Sequence, residues 1–157
     1  MTEEIELRRA TVEDAAAVRD LTRDAYAKWI PRIGREPRPM TADYDVAVRD
    51  HRIDLLYIEG TLAALVEMID QGDRLLIENL AVSPRYQRRG LGTSLLAHAE
   101  EVAASLGRDR IWLYTNRRFD GNVELYRRNG YRIDSEESID GGLVRINMSK
   151  VVMLGAK

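Results

Sequence analysis

Val82-Ser83-Pro84-Arg85-Tyr86-Gln87-Arg88-Arg89-Gly90-Leu91-Gly92 joins an apolar strand to an amphipathic helix through a loop rich in backbone donors. The first amides of a helix have no intrahelical acceptor and carry partial positive charge, so an anion placed there is held by several hydrogen bonds at once. Gly90 and Gly92 lack a Cβ, which opens φ values closed to other residues and lets a phosphate oxygen approach the backbone. The stretch therefore reads as a phosphate-binding turn. It is not a P-loop, because the sequence contains no Gly-Lys pair. It is a poor dinucleotide fingerprint, because Leu95 stands where the third glycine belongs.

Outward from this loop the periodicities define the elements. Upstream, Leu55–Glu59, Leu62–Ile69 and Leu75–Val82 read as strands, with turns at Gly60 and at Asp70-Gln71-Gly72-Asp73, which makes an antiparallel meander. Downstream, Leu91, Leu95, Ala99, Val102 and Leu106 share one face of a helix that ends at Gly107. Ile111–Tyr114 is the next strand, so strand, loop, helix and strand form a right-handed crossover with parallel strands, and the loop lies at the carboxyl end where such units bind ligands.

Before the meander, Ile5–Arg9 alternates as a strand, and Thr11 with Asp14 opens a helix to about Trp29 with Ala15, Val18, Leu21, Ala25 and Trp29 inward. Pro31 is expected to stop it, and residues 32–40 to form a loop before a short helix with Tyr44, Ala47 and Val48 inward. After the crossover, Asp120–Arg128 reads as a short helix closed by Asn129-Gly130. Tyr131–Ile133 and Leu143–Met148 form a last hairpin around Asp140-Gly141-Gly142. No repeat or linker interrupts the chain, so residues 1–157 are expected to be a single domain.

Composition narrows the function. The chain of 157 residues is 45% hydrophobic and 32% charged, and no apolar run approaches the roughly 20 residues that span a bilayer. With an acidic N-terminus lacking an apolar signal core, a cytoplasmic location and no membrane partner are expected. The chain has no cysteine, which removes disulfides, thiolate metal sites and a Cys nucleophile. His51 and His98 have no ligand-type partner at i+4, so no metal is expected, and a net charge of −2 argues against nucleic acid as a partner. His98 reads as a residue at the edge of the core.

The segments Glu78-Asn79-Leu80-Ala81-Val82-Ser83-Pro84, Gln87-Arg88-Arg89-Gly90-Leu91-Gly92 and Asn122-Val123-Glu124-Leu125-Tyr126-Arg127-Arg128-Asn129-Gly130-Tyr131, in this order of elements, resemble the Gcn5-related N-acetyltransferase (GNAT) superfamily. The resemblance spans nearly the whole chain and is least evident over residues 30–43. It implies an α/β (α+β) acyl-CoA N-acyltransferase fold, with a mixed, mostly antiparallel sheet, a central parallel strand pair and flanking helices. It also implies acetyl-CoA as co-substrate and no metal. The diphosphate would accept hydrogen bonds from the backbone of Arg88, Arg89, Gly90, Gly92 and Thr93, within a site that takes in Gln87 and Leu91. The pantetheine arm would lie along Leu80, Ala81 and Val82. The side chains of Arg85, Arg88 and Arg89 could meet the phosphates or remain solvated.

Acyl transfer to an amine poses two proton problems: the ammonium must lose one before it attacks, and the departing thiolate must gain one. Glu78 shares a strand face with Leu80 and Val82, pointing toward the expected thioester, and is the candidate base, directly or through water. Pairing with an arginine is the alternative. Tyr126 stands where the family places a tyrosine acid, and a phenol, with an unperturbed pKa of about 10, keeps its proton at neutral pH. Ordinary core packing is the alternative there. Asn122 could bond the pantetheine arm or act near a helix cap.

Tyr26, Trp29, Arg32 and Arg35, with Tyr114 and Asn116, are the candidate acceptor residues, the arginines suiting a carboxylate on the acceptor. The main expectation is an N-acetyltransferase acting on a primary amine of a small molecule or peptide by direct attack in a ternary complex. A non-catalytic acyl-CoA sensor or interaction module is the alternative, and a small nucleotide-binding oxidoreductase is a third reading. The last hairpin offers an edge at which a second copy could pair, so a homodimer is also open.

Overall fold

The computed structural model describes residues 3–154; Met1 and Thr2 of the acidic N-terminus lie outside the described residues. Strand β1 (Ile5–Arg9) leads to helix α1 (Ala15–Tyr26) through a capping turn in which Asp14 Oδ2 accepts the Thr11 N–H at 2.7 Å. The Arg8 guanidinium bonds the same carboxylate at 3.0 and 3.1 Å and holds it below the ordinary aspartate value. Ala15, Val18, Leu21 and Ala25 are buried, as their spacing requires.

Pro31 does not end this helix. The chain tightens into a 3-10 turn at Ala27–Trp29 and restarts as α2 (Ile30–Ile33), with Pro31 in the first turn, where a missing N–H leaves no bond unmade. The stop is Gly34, in the left-handed region at φ 77. The expected loop also contains a single helical turn, α3 (Arg38–Thr41). Helix α4 (Tyr44–Asp50) is capped by Asp43 Oδ1, which accepts from the amides of Asp45 and Val46, and it buries Tyr44, Ala47 and Val48.

Strands β2 (Arg52–Ile58), β3 (Thr61–Asp70) and β4 (Leu75–Val82) follow. β1 pairs antiparallel with β2, and β2 with β3. After the glycine loop come α5 (Leu91–Ser105) and β5 (Arg110–Asn116), and the crossover sets Leu75–Ile77 parallel to Ile111–Leu113. Then come α6 (Asp120–Arg128), β6 (Arg132–Ile139) and β7 (Leu143–Val151). Among the described residues seven strands form one sheet in the order β1-β2-β3-β4-β5-β7-β6.

Two expectations need correction. Leu106 lies beyond the end of α5 and is exposed, while Leu96 and Ala103 join Leu91, Leu95, Ala99 and Val102 in the buried face. The sixth strand starts after Tyr131 and runs to Ile139; every residue in it is exposed, so no apolar alternation marks it in the sequence.

Contacts divide the chain into two compact units. One runs through Met68 and takes in Asn79–Leu95; the other is Ile69–Glu78 with the chain from Leu96 onward. No helix among the described residues is long and apolar enough to cross a membrane.

In the second unit the Tyr131 hydroxyl is buried without a protein hydrogen-bond partner among the described residues, its ring 6.0 Å from that of Tyr126. An orphaned hydroxyl costs about 1–3 kcal/mol. Tyr131→Phe should therefore match or exceed the parent stability in thermal unfolding, a gain of 1 kcal/mol raising Tm by about 2–4 °C. A clear fall in Tm would show that the hydroxyl is satisfied. In the same unit Arg108 bonds the Asp70 carboxylate at 2.8 and 3.0 Å and holds its pKa at about 2, against an ordinary 3.8. A depressed carboxylate stabilises the fold above its unfolded pKa and loses that share as pH falls through the folded one. Acid unfolding should show Arg108→Ala removing a stability loss between about pH 4 and pH 2.

Candidate functional site

The loop after β4 belongs to the first unit. Ser83 Oγ accepts the Arg85 N–H at 3.4 Å within the turn Pro84–Tyr86, and Gln87 Nε2 then donates to the Val82 carbonyl at 3.2 Å, folding the loop back on its own strand. Arg88 at φ 65 and Gly90 at φ 80 are both left-handed, and together they turn the chain into α5. The first rung of that helix is Ser94 N–H to Gly90 C=O at 3.0 Å, so the amides of Leu91 and Gly92 stand ahead of the ladder.

A Cβ built on Gly90 meets nothing within 4 Å, so the space over the turn is open. Gly92 lies inside α5 and is not left-handed; Arg88 takes up the second left-handed conformation, which costs a non-glycine residue about 1–2 kcal/mol. The side chains are disposed unequally. Arg89 is bound to the Glu3 carboxylate at 2.5 and 2.6 Å and lies over the Tyr86 ring, whereas Arg85 and Arg88 are exposed. Thr93 is exposed in the first turn of α5, while Leu80, Ala81 and Leu91 are buried and Val82 is half-buried.

The same unit holds a buried polar network that sequence reading did not identify. Asn79, in the apolar run of β4, donates through Nδ2 to Thr22 Oγ1 at 3.1 Å and to the Tyr44 hydroxyl at 3.3 Å. The Tyr26 hydroxyl lies 3.0 Å from Asn79 Oδ1 and 3.3 Å from the Leu80 carbonyl, with one hydrogen to donate between them. Tyr44 donates in turn to the Pro39 carbonyl at 2.7 Å. Tyr26 is thus a buried tether between α1 and β4. Trp29 is buried with Lys28 and Arg32 over its ring at 5.0 and 5.9 Å, and Arg32 and Arg35 are exposed. The available clue was an asparagine amid Leu, Ile and Ala, since a buried amide demands partners.

The second unit holds the two candidates for proton transfer. Glu78 is half-buried, and Tyr114 donates its hydroxyl hydrogen to Oε1 at 2.8 Å; Oε2 has no protein partner among the described residues. The Tyr114 ring carries the Arg145 guanidinium at 4.1 Å, which Asn147 Oδ1 holds through Nε at 3.0 Å, and Trp112 lies 6.0 Å away. No sequence motif marks Arg145, which lies opposite the candidate Asn116 in the β5–β7 register. Asn116 is buried and accepts the Arg118 N–H at 2.9 Å, closing the turn before α6. Asn122 is half-buried in the first turn of α6, and the cap position belongs to Phe119.

Tyr126, on the same helix, is buried, and burial pushes its phenol well above the ordinary value of about 10. It therefore keeps its proton across the physiological range. Among the described residues no group of three or more His, Cys, Asp or Glu could hold a metal ion.

Residues 15–131 match the family model described as the acetyltransferase (GNAT) family. The chain belongs to that family. A spermidine N(1)-acetyltransferase of Thermoplasma acidophilum is 22% identical over 151 residues, covering 87% of this chain and 93% of its own. A streptothricin acetyltransferase of Streptomyces lavendulae is 32% identical over 75 residues, 46% of this chain and 40% of its own. Among solved structures, the PaiA N-acetyltransferase of Thermoplasma acidophilum in complex with coenzyme A superposes with a TM-score of 0.80 at 20% identity. The match covers 94% of this chain and 99% of that one.

The acyl donor of a GNAT acetyltransferase is acetyl-CoA. The glycine loop fits the diphosphate of such a donor, with leading helix amides, open space over Gly90 and exposed cations beside it.

The buried network generates a stability prediction. Asn79→Leu leaves the hydroxyls of Thr22, Tyr26 and Tyr44 short of a partner, at about 1–3 kcal/mol for each group that cannot re-pair. Urea unfolding should show a markedly lower midpoint. A midpoint within error of the parent would mean that the network contributes nothing to the fold.

Proposed function

We propose that this acetyltransferase acts on a primary amine of a small molecule or peptide by direct attack in a ternary complex, with Glu78 as the base. The observation that carries the proposal is the state of Glu78: half-buried, one carboxylate oxygen fixed by Tyr114 and the other without a protein partner among the described residues. A carboxylate oriented on one side and open on the other is arranged to receive a proton, directly or through one water. Relatives named for spermidine and for streptothricin support a small-molecule acceptor. A chain without cysteine supports direct transfer over a cysteine acyl-enzyme.

When bound, acetyl-CoA supplies an acyl thioester. The backbone of Arg88, Arg89, Gly90, Gly92 and Thr93 holds its diphosphate; the strand segment Leu80, Ala81 and Val82 lies along the pantetheine arm, with Asn122 assigned to the same arm. Gln87 acts by pinning the loop to Val82. Glu78 takes the proton that the ammonium must lose. Tyr126 donates toward the departing sulfur. A buried phenol is a weaker acid than a thiol of pKa about 8.5, so its contribution is a hydrogen bond that strengthens as charge builds on sulfur, while the thiolate takes its proton from water as it leaves and Tyr126 keeps its own.

For the acceptor we assign Tyr114 together with Trp29, Arg32 and Arg35. Tyr26 and Asn116, the other two acceptor candidates, are buried, Tyr26 bonded to Asn79 Oδ1 and the Leu80 carbonyl and Asn116 to the Arg118 N–H.

A panel of polyamines, aminoacyl compounds and amino sugars, assayed for CoA release with acetyl-CoA, tests the activity. With any accepted amine, Glu78→Gln should lower kcat by about 10²–10⁴-fold with CoA affinity retained. Tyr126→Phe should lower turnover while leaving acetyl-CoA affinity nearly intact. Unchanged turnover in Glu78→Gln would remove the carboxylate from the chemistry.

A further inference from the structure

Several cations in the first unit are already paired. Arg8 pairs with Asp14, Arg23 with Glu36, Arg49 with Asp50, Arg52 with Asp54 and Arg89 with Glu3. At the glycine loop Lys28 and Arg88, like Arg85, have no carboxylate partner among the described residues. Lys28 sits in the 3-10 turn Ala27–Trp29, and its Nζ donates to Gln87 Oε1 at 3.2 Å. The other end of the Gln87 amide is bonded to the Val82 carbonyl, so the ammonium is moored to the loop one residue before Arg88. Nζ also lies 5.0 Å over the Trp29 ring, which further limits where the chain can swing.

An ammonium free to reach bulk water does not ordinarily settle beside a guanidinium. Here burial and the Arg88 charge both disfavour protonated Lys28 and pull its pKa below the usual lysine value. An ammonium bonded to the loop's own amide, with the Arg88 charge acting on it, next to helix amides and open space, forms a setting that an anion would complete.

We propose that Lys28, acting with Arg88, is a ligand for the diphosphate of the acyl donor, turning its ammonium from Gln87 to a phosphate oxygen when the donor binds. The inference rests on the family's use of acetyl-CoA and adds a contact from outside the glycine loop. The contributing turn also carries Trp29, and Arg32 follows in α2, so donor phosphates brace the segment to which acceptor residues are assigned. No motif marks a lysine at this place.

Calorimetric titration of the full chain with CoA, dephospho-CoA and pantetheine tests the assignment. Lys28→Gln keeps a polar chain and removes the charge; it should weaken CoA and dephospho-CoA alike by about tenfold, the scale of one charge-assisted hydrogen bond, and leave pantetheine unchanged. Lys28→Arg should keep most of the affinity. Equal CoA affinity in parent and Lys28→Gln overturns the proposal, and so does a loss that extends to pantetheine, which lacks the diphosphate. A loss that disappears with dephospho-CoA overturns the diphosphate assignment in favour of the 3′-phosphate. If the parent protein binds no CoA, the donor reading itself fails, and that failure is visible without any variant.

Discussion

Strand β4 carries Glu78 and Asn79 at adjacent positions, and the period of two sends adjacent side chains to opposite faces. Glu78 meets Tyr114 on β5; Asn79 meets Thr22 and Tyr26 on α1 and Tyr44 on α4. A slip of one residue would bring Glu78 or Leu80 into the buried amide network in place of Asn79. The hydrogen bonds of Asn79 therefore do more than satisfy a buried amide. By accepting only one register of this part of β4 they also determine where the chain leaves the strand toward Gln87 and Gly90. The loop is then aimed by its strand, and Gln87 returns to Val82 to keep it there.

Much of this arrangement is legible in the sequence, and what is legible has one physical origin. Elements whose burial is one-sided or whose turns need special φ leave a local trace: the α1 stripe, the Glu59-Gly60 turn with both residues left-handed, and the run from β4 through the glycine loop into α5. β6 leaves none, because an edge strand exposed throughout has no face to pattern. Pro31 misleads for a different reason. Proline forbids a helix interior but suits a first turn, and a 3-10 break upstream converts one position into the other.

The site is less legible than the fold because its residues act through partners far away in sequence. Asn79 and Tyr26 are 53 residues apart, Lys28 and Gln87 59, Glu78 and Tyr114 36. Periodicity assigns a side chain to a face and cannot say what waits there. Glu78 and Tyr114 were both read as site residues, yet only the structure joins them. Tyr26, a candidate acceptor residue, ties α1 to β4, and Asn116, another, closes the turn before α6. In both cases a buried polar group has partners within the protein, the usual state of a buried hydroxyl or amide.

The two proposed catalytic groups are separated by environment as well as by chemistry. Glu78 is half-buried with one oxygen open, so a proton it receives can pass on to water. Tyr126 is enclosed, and enclosure raises its pKa, which makes it a poor acid and leaves it a hydrogen-bond donor to a group acquiring negative charge in the same dry space. That asymmetry suits a reaction whose nucleophile arrives protonated from solvent and whose leaving group is a sulfur anion. Were the burial reversed, an enclosed carboxylate would be driven toward its neutral form and lose its function as base, and an exposed phenol would offer a departing thiolate little that water does not. The differential burial of one strand residue and one helix residue is thus a physical condition for the first to take a proton and the second to keep its own while bonding the departing sulfur.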